Sequence, residues 1–190
     1  MANLDGKKEA IEAIAKEIIG CKLCQVNKVG KAVPGEGNPE ARVMLVGEAP
    51  GKMESETGRP FVGRAGVLLR NMMAEAGLKE EDVFITSALK YLPKHVTPKA
   101  DEIEHARQHL FKQIETIDPD IVVLLGRFAV LSVLGESVFI AREHGKIVER
   151  DGRTYLIAYH PAAGLYSGIV KRKLEEDFIA LKKLLRKRAG

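Results

Sequence analysis

The sequence predicts an α/β protein, a three-layer sandwich whose helices cover both faces of a mostly parallel, four-stranded central sheet. Three observations carry that expectation. Short apolar runs recur at Arg42 to Val46, Val83 to Thr86, Ile121 to Leu125 and Tyr155 to Ala158. Longer stretches with apolar residues at helical spacing follow them, and strands alternating with helices build parallel sheets. The runs are apolar almost throughout, as strands covered on both faces are. No repeat, low-complexity tract or Ser/Pro-rich linker divides the 190 residues. That length supports one sizeable core and is short for two, so one domain spanning 1–190 is expected.

The elements follow in order. Ile11, Ile14 and Ile18 place an amphipathic helix over 5–19, ending near Gly20. Residues 21–40 are rich in Gly, Pro, Lys and Asn and read as a long loop. The strand RVMLV runs straight into GEAPGK. Leu68, Leu69, Met72, Met73 and Ala76 define the next helix, which Gly77 can end in a left-handed cap. Beyond the strand at 83–86, Thr97-Pro98 supplies an N-cap and first-turn proline for a helix bearing Ile103, Ala106, Leu110 and Ile114. The strand at 121–125 leads to a helix through Leu134. Lys146 to Val148 and Tyr155 to Ala158 pair around Asp151-Gly152, and Leu174, Phe178, Leu181 and Leu185 mark the last helix.

Composition excludes several classes. Hydrophobic residues make up 45% and net charge is +4, from 30 Lys and Arg against 26 Asp and Glu, which excludes bulk disorder. The most apolar stretch, Ile121 to Gly135, has fifteen residues interrupted by Arg127. A bilayer span needs ~20, so no membrane partner is expected. The charged N-terminal segment lacks the apolar core of a signal peptide, which makes the cytoplasm the expected compartment. The two cysteines form one Cys-x-x-Cys, Cys21 and Cys24. In a reducing compartment that pattern suggests metal, cluster or redox chemistry. A pI near 9.0 hints at an anionic partner. Much of the positive charge gathers near the C-terminus, Lys171 and Arg172 included, where a solvated helix face is the ordinary reading.

Ligands of parallel sheets bind outside the carboxyl ends of the strands. Two unusual segments fall there: Gly47 to Gly51 after the first strand, and His160 to Gly164 after the last. The first opens VGEAPGKMESETGRPFVGRAG, whose glycines permit tight turns and close approach of backbone to a ligand. Glu48 directly follows a strand and a glycine, where a carboxylate is held and partly withdrawn from water. Taken singly, Glu48 reads as a capping or surface carboxylate and Phe61 as a core aromatic. A phosphate loop is absent, since Lys52 precedes Met53 and not Ser or Thr, and the dinucleotide GxGxxG is missing.

Together these blocks resemble the uracil-DNA glycosylase superfamily, most closely its thermostable iron–sulfur branch, family 4. The resemblance spans nearly the whole chain: Cys21-x-x-Cys24, GEG at Gly35 to Gly37, GEAPG at Gly47 to Gly51, GRPFVGRAG at Gly58 to Gly66, and HPAA at His160 to Ala163. It implies base-excision chemistry on DNA carrying a damaged base, which is flipped into a pocket before its N-glycosidic bond is broken. Phe61 would stack on the base, while Gly47 and the backbone around Glu48 and Ala49 would contact its carbonyls. His160 would donate a hydrogen bond to the leaving base. Glu48 would orient water and stabilise positive charge on the sugar, because Ala49 stands where other branches place a water-activating Asp. In the loop after HPAA, Leu165 or Tyr166 would be a wedge filling the gap left by the flipped nucleotide, or else would fold back on the core. Lys171 and Arg172 would contact phosphates, and a monomer is expected.

Two departures separate the chain from that branch. The second strand ends in Ile85-Thr86-Ser87, where the family has an Asn that reads the edge of uracil. A serine hydroxyl cannot present both an amide donor and a carbonyl acceptor, so hypoxanthine or xanthine are candidate bases beside uracil. The family's four-iron, four-sulfur cluster uses four Cys, and Tyr91 and Ala106 occupy two of those places. His95, His105 and His109 lie near, which leaves a mixed Cys/His or zinc site open. Loss of the centre is the expectation, so no resident cofactor is expected, and Cys21 and Cys24 become a relic thiol pair or a disulfide. A catalytically weak DNA-binding homologue and a hydrolase of nucleosides or RNA are the rival functions.

Overall fold

A computed structural model describes residues 4–94 and 100–189. The first helix forms as α1 (Leu4–Gly20) and buries Ile14 and Ile18. The segment read as a loop holds one helical turn, α2 (Lys22–Gln25), and two-residue strands β1 (Lys28–Val29) and β2 (Glu36–Gly37). β3 (Val43–Gly47) leads through α3 (Lys52–Thr57) into α4 (Arg64–Ala76), which Gly77 ends with a φ of 86°. β4 (Val83–Ser87) and β5 (Leu92–Pro93) precede α5 (Ala100–Ile117). The predicted Thr97-Pro98 start of α5, like His95, lies outside the described residues. β6 (Ile121–Leu125), α6 (Arg127–Leu134) and α7 (Ile140–Glu143) follow. The hairpin of β7 (Ile147–Arg150) and β8 (Arg153–Ala158) then leads to α8 (Pro161–Gly164) and α9 (Gly168–Ala189).

The main sheet runs β2-β4-β3-β6-β8-β7. Its four central strands are parallel, as predicted, while β2 and β7 add antiparallel edges and bring the total to six. β7 is the predicted hairpin partner. β2 has no pattern to reveal it, since two residues carry no period. Its Gly37 has φ 134°, and a Cβ there would lie 2.1 Å from the carbonyl oxygen of Val83. β1 and β5 form a separate two-residue ladder, Lys28 against Pro93 and Val29 against Leu92.

Alternation along the strands makes the layers. Val43 and Leu45 of β3 pack with Leu69 and Met72 of α4 and with Leu174 and Phe178 of α9. Met44 and Val46 pack on the other face with Leu110 and Ile114 of α5 and Val130 of α6. A one-residue slip would exchange the two faces, so this burial fixes the register. The register in turn sets Gly47 beside Ser87 at the ends of β3 and β4. No helix among the described residues is long and apolar enough to cross a membrane.

Candidate active site and metal-ligand cluster

The loops leaving the carboxyl ends of β3, β4 and β8 wall a cavity of about 470 Å³. Glu48, Ala49, Phe61, Ser87 and His160 all line it, as do Glu54 and Lys94. A larger cleft of about 680 Å³ beside β1 carries Lys28, Lys31 and Tyr91 but, among the described residues, no carboxylate or histidine.

Phe61 is placed by its backbone. Its φ of 51° is left-handed, a costly conformation for a bulky residue. Two glycines make the position feasible. A Cβ on Gly66 would lie 1.6 Å from the Phe61 carbonyl oxygen. A Cβ on Gly47 would lie 2.6 Å from Phe61 Cζ and 3.3 Å from Ser87 Oγ. The Arg70 guanidinium donates to the same Phe61 carbonyl. The Phe61 ring therefore rests against the end of β3, and it stacks with His160 at 5.8 Å between centroids.

His160 caps α8, its Nδ1 accepting from Ala162 N at 3.1 Å. That contact places the ring proton on Nε2 and leaves Nε2–H as the free donor. Burial holds the imidazole down to about 4, against the opposing pull of Glu54, so it is neutral near pH 7. The turn before it is anchored by Asp177 of α9, which is fully buried. One carboxylate oxygen accepts from Tyr159 N at 2.9 Å and the other lies 2.8 Å from His144 Nδ1. Burial raises the Glu48 carboxyl above its ordinary range, with Arg127 opposing the shift. The carbonyls of Gly47 and Glu48 accept from Ala88 N and Leu89 N, each at 2.9 Å, which ties the two strand ends together.

Beneath Ser87 lies a network the sequence reading missed. Lys90 Nζ, fully buried, donates to Thr86 Oγ1, Ser87 O and Gln113 Oε1 at 2.7, 2.8 and 2.7 Å. Burial lowers its pKa to about 7. Gln113 Nε2 and Thr86 Oγ1 both donate to Pro34 O. The available signal was Gln113, a polar residue between Leu110 and Ile114 on the apolar stripe of a helix. Glu54 was also missed: its Oε1 accepts from Gly63 N at 2.9 Å, stapling the glycine-rich loop across its turn.

The loop after α8 separates the two wedge candidates. Leu165 packs against the core, whereas Tyr166 is 84% exposed. Lys171 and Arg172 are exposed on the first turn of α9, Lys171 lying 3.7 Å from Glu175. None of these four lines the cavity.

Away from the cavity, a second group of side chains converges. Cys21 caps α2 and Cys24 lies within it, while His105 and His109 are one turn apart on α5. Their donor atoms all lie within 4.8 Å of one another, and Cys21 Sγ is 3.1 Å from His105 Nε2. Both cysteines are free thiols, not a disulfide. Burial pushes the Cys24 thiol up to about 12.

The family model described as "Uracil DNA glycosylase superfamily" matches residues 34–181. The chain belongs to the uracil-DNA glycosylase superfamily. It is 41% identical over 180 residues to a type-4 uracil-DNA glycosylase of Archaeoglobus fulgidus, covering 90% of each chain. A type-4 enzyme of Saccharolobus solfataricus is 42% identical over 188 residues, with 92% of this chain and 86% of the relative covered. A type-4 enzyme of Thermotoga maritima is 35% identical over 95% of this chain and 97% of its own.

Membership brings the branch's four-thiolate cluster into question, and these residues do not fit it. Such a cluster takes four cysteine thiolates. Ala106 offers no donor atom. Tyr91 is committed elsewhere, donating to Ile19 O at 3.1 Å and accepting from Gln25 Nε2 at 3.3 Å. The void bounded by Cys24, Lys90 and His105 is about 10 Å³, roughly the room of one water molecule. What the superfamily position holds here is a Cys/His cluster able to bind a metal ion.

Proposed function

We propose that this protein is a monofunctional DNA glycosylase of base excision repair, acting as a monomer on DNA that carries a deaminated base, with uracil the first substrate. The observation that carries the reading is one cavity, at the carboxyl edge of the sheet, lined by Glu48, Phe61, Ser87 and His160 in a chain of this superfamily.

The chemistry follows from those side chains. A flipped base stacks on Phe61, with Ser87 Oγ meeting its edge. As the C1′–N bond lengthens, its electron pair moves onto the base and the sugar becomes oxocarbenium-like. His160 Nε2–H donates to the developing negative charge, and it does so as a neutral imidazole, since burial keeps the ring unprotonated. The Glu48 carboxylate faces the positive sugar and accepts a proton from the water whose oxygen bonds to C1′. That proton passes to the departing base, so the products are free base and an abasic site. Tyr166 stands free to enter the stack behind the flipped nucleotide, and Lys171 and Arg172 meet phosphates.

Incubation with single- and double-stranded oligonucleotides carrying uracil, hypoxanthine or xanthine, followed by alkaline cleavage, tests the reading. Abasic product from the uracil strand is expected, and Glu48→Ala should suppress it. No product from any of the three at enzyme excess would instead leave a DNA-binding homologue without activity.

A further inference from the structure

We propose that Cys21, Cys24, His105 and His109 form a closed, mononuclear zinc site where this branch of the superfamily carries an iron–sulfur cluster. The donor set is the first reason, because two thiolates and two imidazoles in tetrahedral array are a zinc environment. Spacing is the second. With Zn–S about 2.3 Å and Zn–N about 2.0–2.1 Å, tetrahedral donors sit roughly 3.3–3.8 Å apart. The Cys21 and His105 donors are 3.1 Å apart, and no pair of the four exceeds 4.8 Å. Iron–sulfur clusters with mixed Cys and His ligands also exist, but ligands on the two irons of such a cluster stand farther apart than the 4.8 Å within which all four of these donor atoms lie.

The third reason is an orphan. His109 is 4% exposed, and neither of its ring nitrogens has a hydrogen-bond partner among the described residues. Buried polar groups without partners are rare and each asks for a cause. Glu17 Oε1 lies 3.8 Å from His109 Nδ1, beyond hydrogen-bond range. Zinc on Nε2 would fix the ring proton on Nδ1, facing Glu17, and so build the carboxylate–histidine–metal relay that orients such ligands. Glu17 is itself held by Lys112 Nζ at 2.5 Å.

The ion would clamp a helix that cannot stand alone. α2 is a single turn, too short to be stable by itself. It continues into β1, which pairs with β5, and Asn27 O accepts from Lys94 N at 3.0 Å. Leu92, Pro93 and Lys94 line the base cavity, so the clamp secures one of its walls.

The test is independent of glycosylase activity. Tag-free protein, purified under reductant without chelator, is analysed for metals and acid-labile sulfide and its absorbance recorded. One zinc per chain, no iron, no sulfide and no visible colour are expected. After exchange into Co²⁺, visible bands of tetrahedral intensity and a thiolate-to-cobalt charge-transfer band are expected. His109→Ala should lose the tetrahedral spectrum. Because that variant can fail to fold, His109→Cys is the second: it should keep one ion per chain and strengthen the charge-transfer band. Brown protein with iron and sulfide overturns the proposal. So does zinc-free protein that gives no tetrahedral cobalt spectrum, or a cobalt spectrum unchanged by His109→Cys.

Discussion

The base cavity and the Cys/His cluster lie in one chain but are assembled from different kinds of structure, and they should fail differently. The cavity is made by backbone. Flush strand ends, two glycines without room for a Cβ, and a phenylalanine held at φ 51° set its walls, and burial keeps its histidine neutral near pH 7. The cluster is made by side chains from a one-turn helix and from one turn of α5. Its parts have little reason to stay together without a ligand. Preorganisation by the fold marks the first region, and dependence on an ion is what the zinc proposal expects of the second.

His160→Ala sharpens this contrast most. Removing the donor to the leaving base should slow single-turnover excision by about 10²–10³-fold, the usual loss for one such donor. The thermal midpoint should barely move, whereas metal loss at the cluster should move it strongly. A large fall in midpoint for His160→Ala would break the distinction. Gly66→Ala comes next, because its Cβ would enter the Phe61 carbonyl. Roughly 3 kcal/mol of stability should be lost in denaturant titration, in the upper range for a single substitution, with excision falling as Phe61 shifts.

The pH profile is a subtler discriminator. In the proposed mechanism Glu48 takes a proton from water and so must be ionised, and burial raises its pKa. Excision should therefore fall on acidification already above the ordinary carboxylate range, and Glu48→Gln should abolish that limb. His160 titrates at about 4 in the folded protein against 6.5 ordinarily. Between those values the unfolded chain holds a proton that the folded chain refuses, so stability should drop as pH is lowered through this window. His160→Gln should flatten the drop in melting curves taken across it. The smallest effect expected is a gain: Ser87→Asn should raise uracil excision about tenfold, near the worth of one hydrogen bond. No gain, with hypoxanthine still excised, would assign Ser87 to a different base.

How much of this was legible depended on whether a residue's role leaves a pattern. The four parallel strands were readable because Val43 to Val46, Val83 to Thr86, Ile121 to Leu125 and Tyr155 to Ala158 are apolar on both faces. β2 and the β1–β5 ladder were not, since two residues show no period. Of the cavity residues, Glu48 and Phe61 read singly as ordinary surface and core positions, and only the resemblance carried by the ordered motif blocks joined them with Ser87 and His160. Lys90 did not, because a lysine buried on three oxygen acceptors looks in sequence like any surface lysine. The two histidines of the cluster were seen as neighbours of an absent cysteine. Only the phase of α5 showed that His105 and His109 share the side facing Cys21 and Cys24. Leu165 and Tyr166 were equivalent by composition, and core packing alone separated them.

The anchoring of the His160 turn by Asp177 couples the cavity to a distant part of the chain. The backbone that presents His160 is held from α9, through the Asp177 contact to Tyr159 N, while Glu48 and Phe61 come from the first half of the chain. Parallel strand pairing of this kind closes slowly, since it joins distant segments. Phe61 and Glu48 thus enter the cavity from segments far along the chain from the helix that seats the His160 turn. Docking of α9 and the placing of the His160 backbone are one event, so a substitution that loosens α9 reaches the cavity without touching its lining.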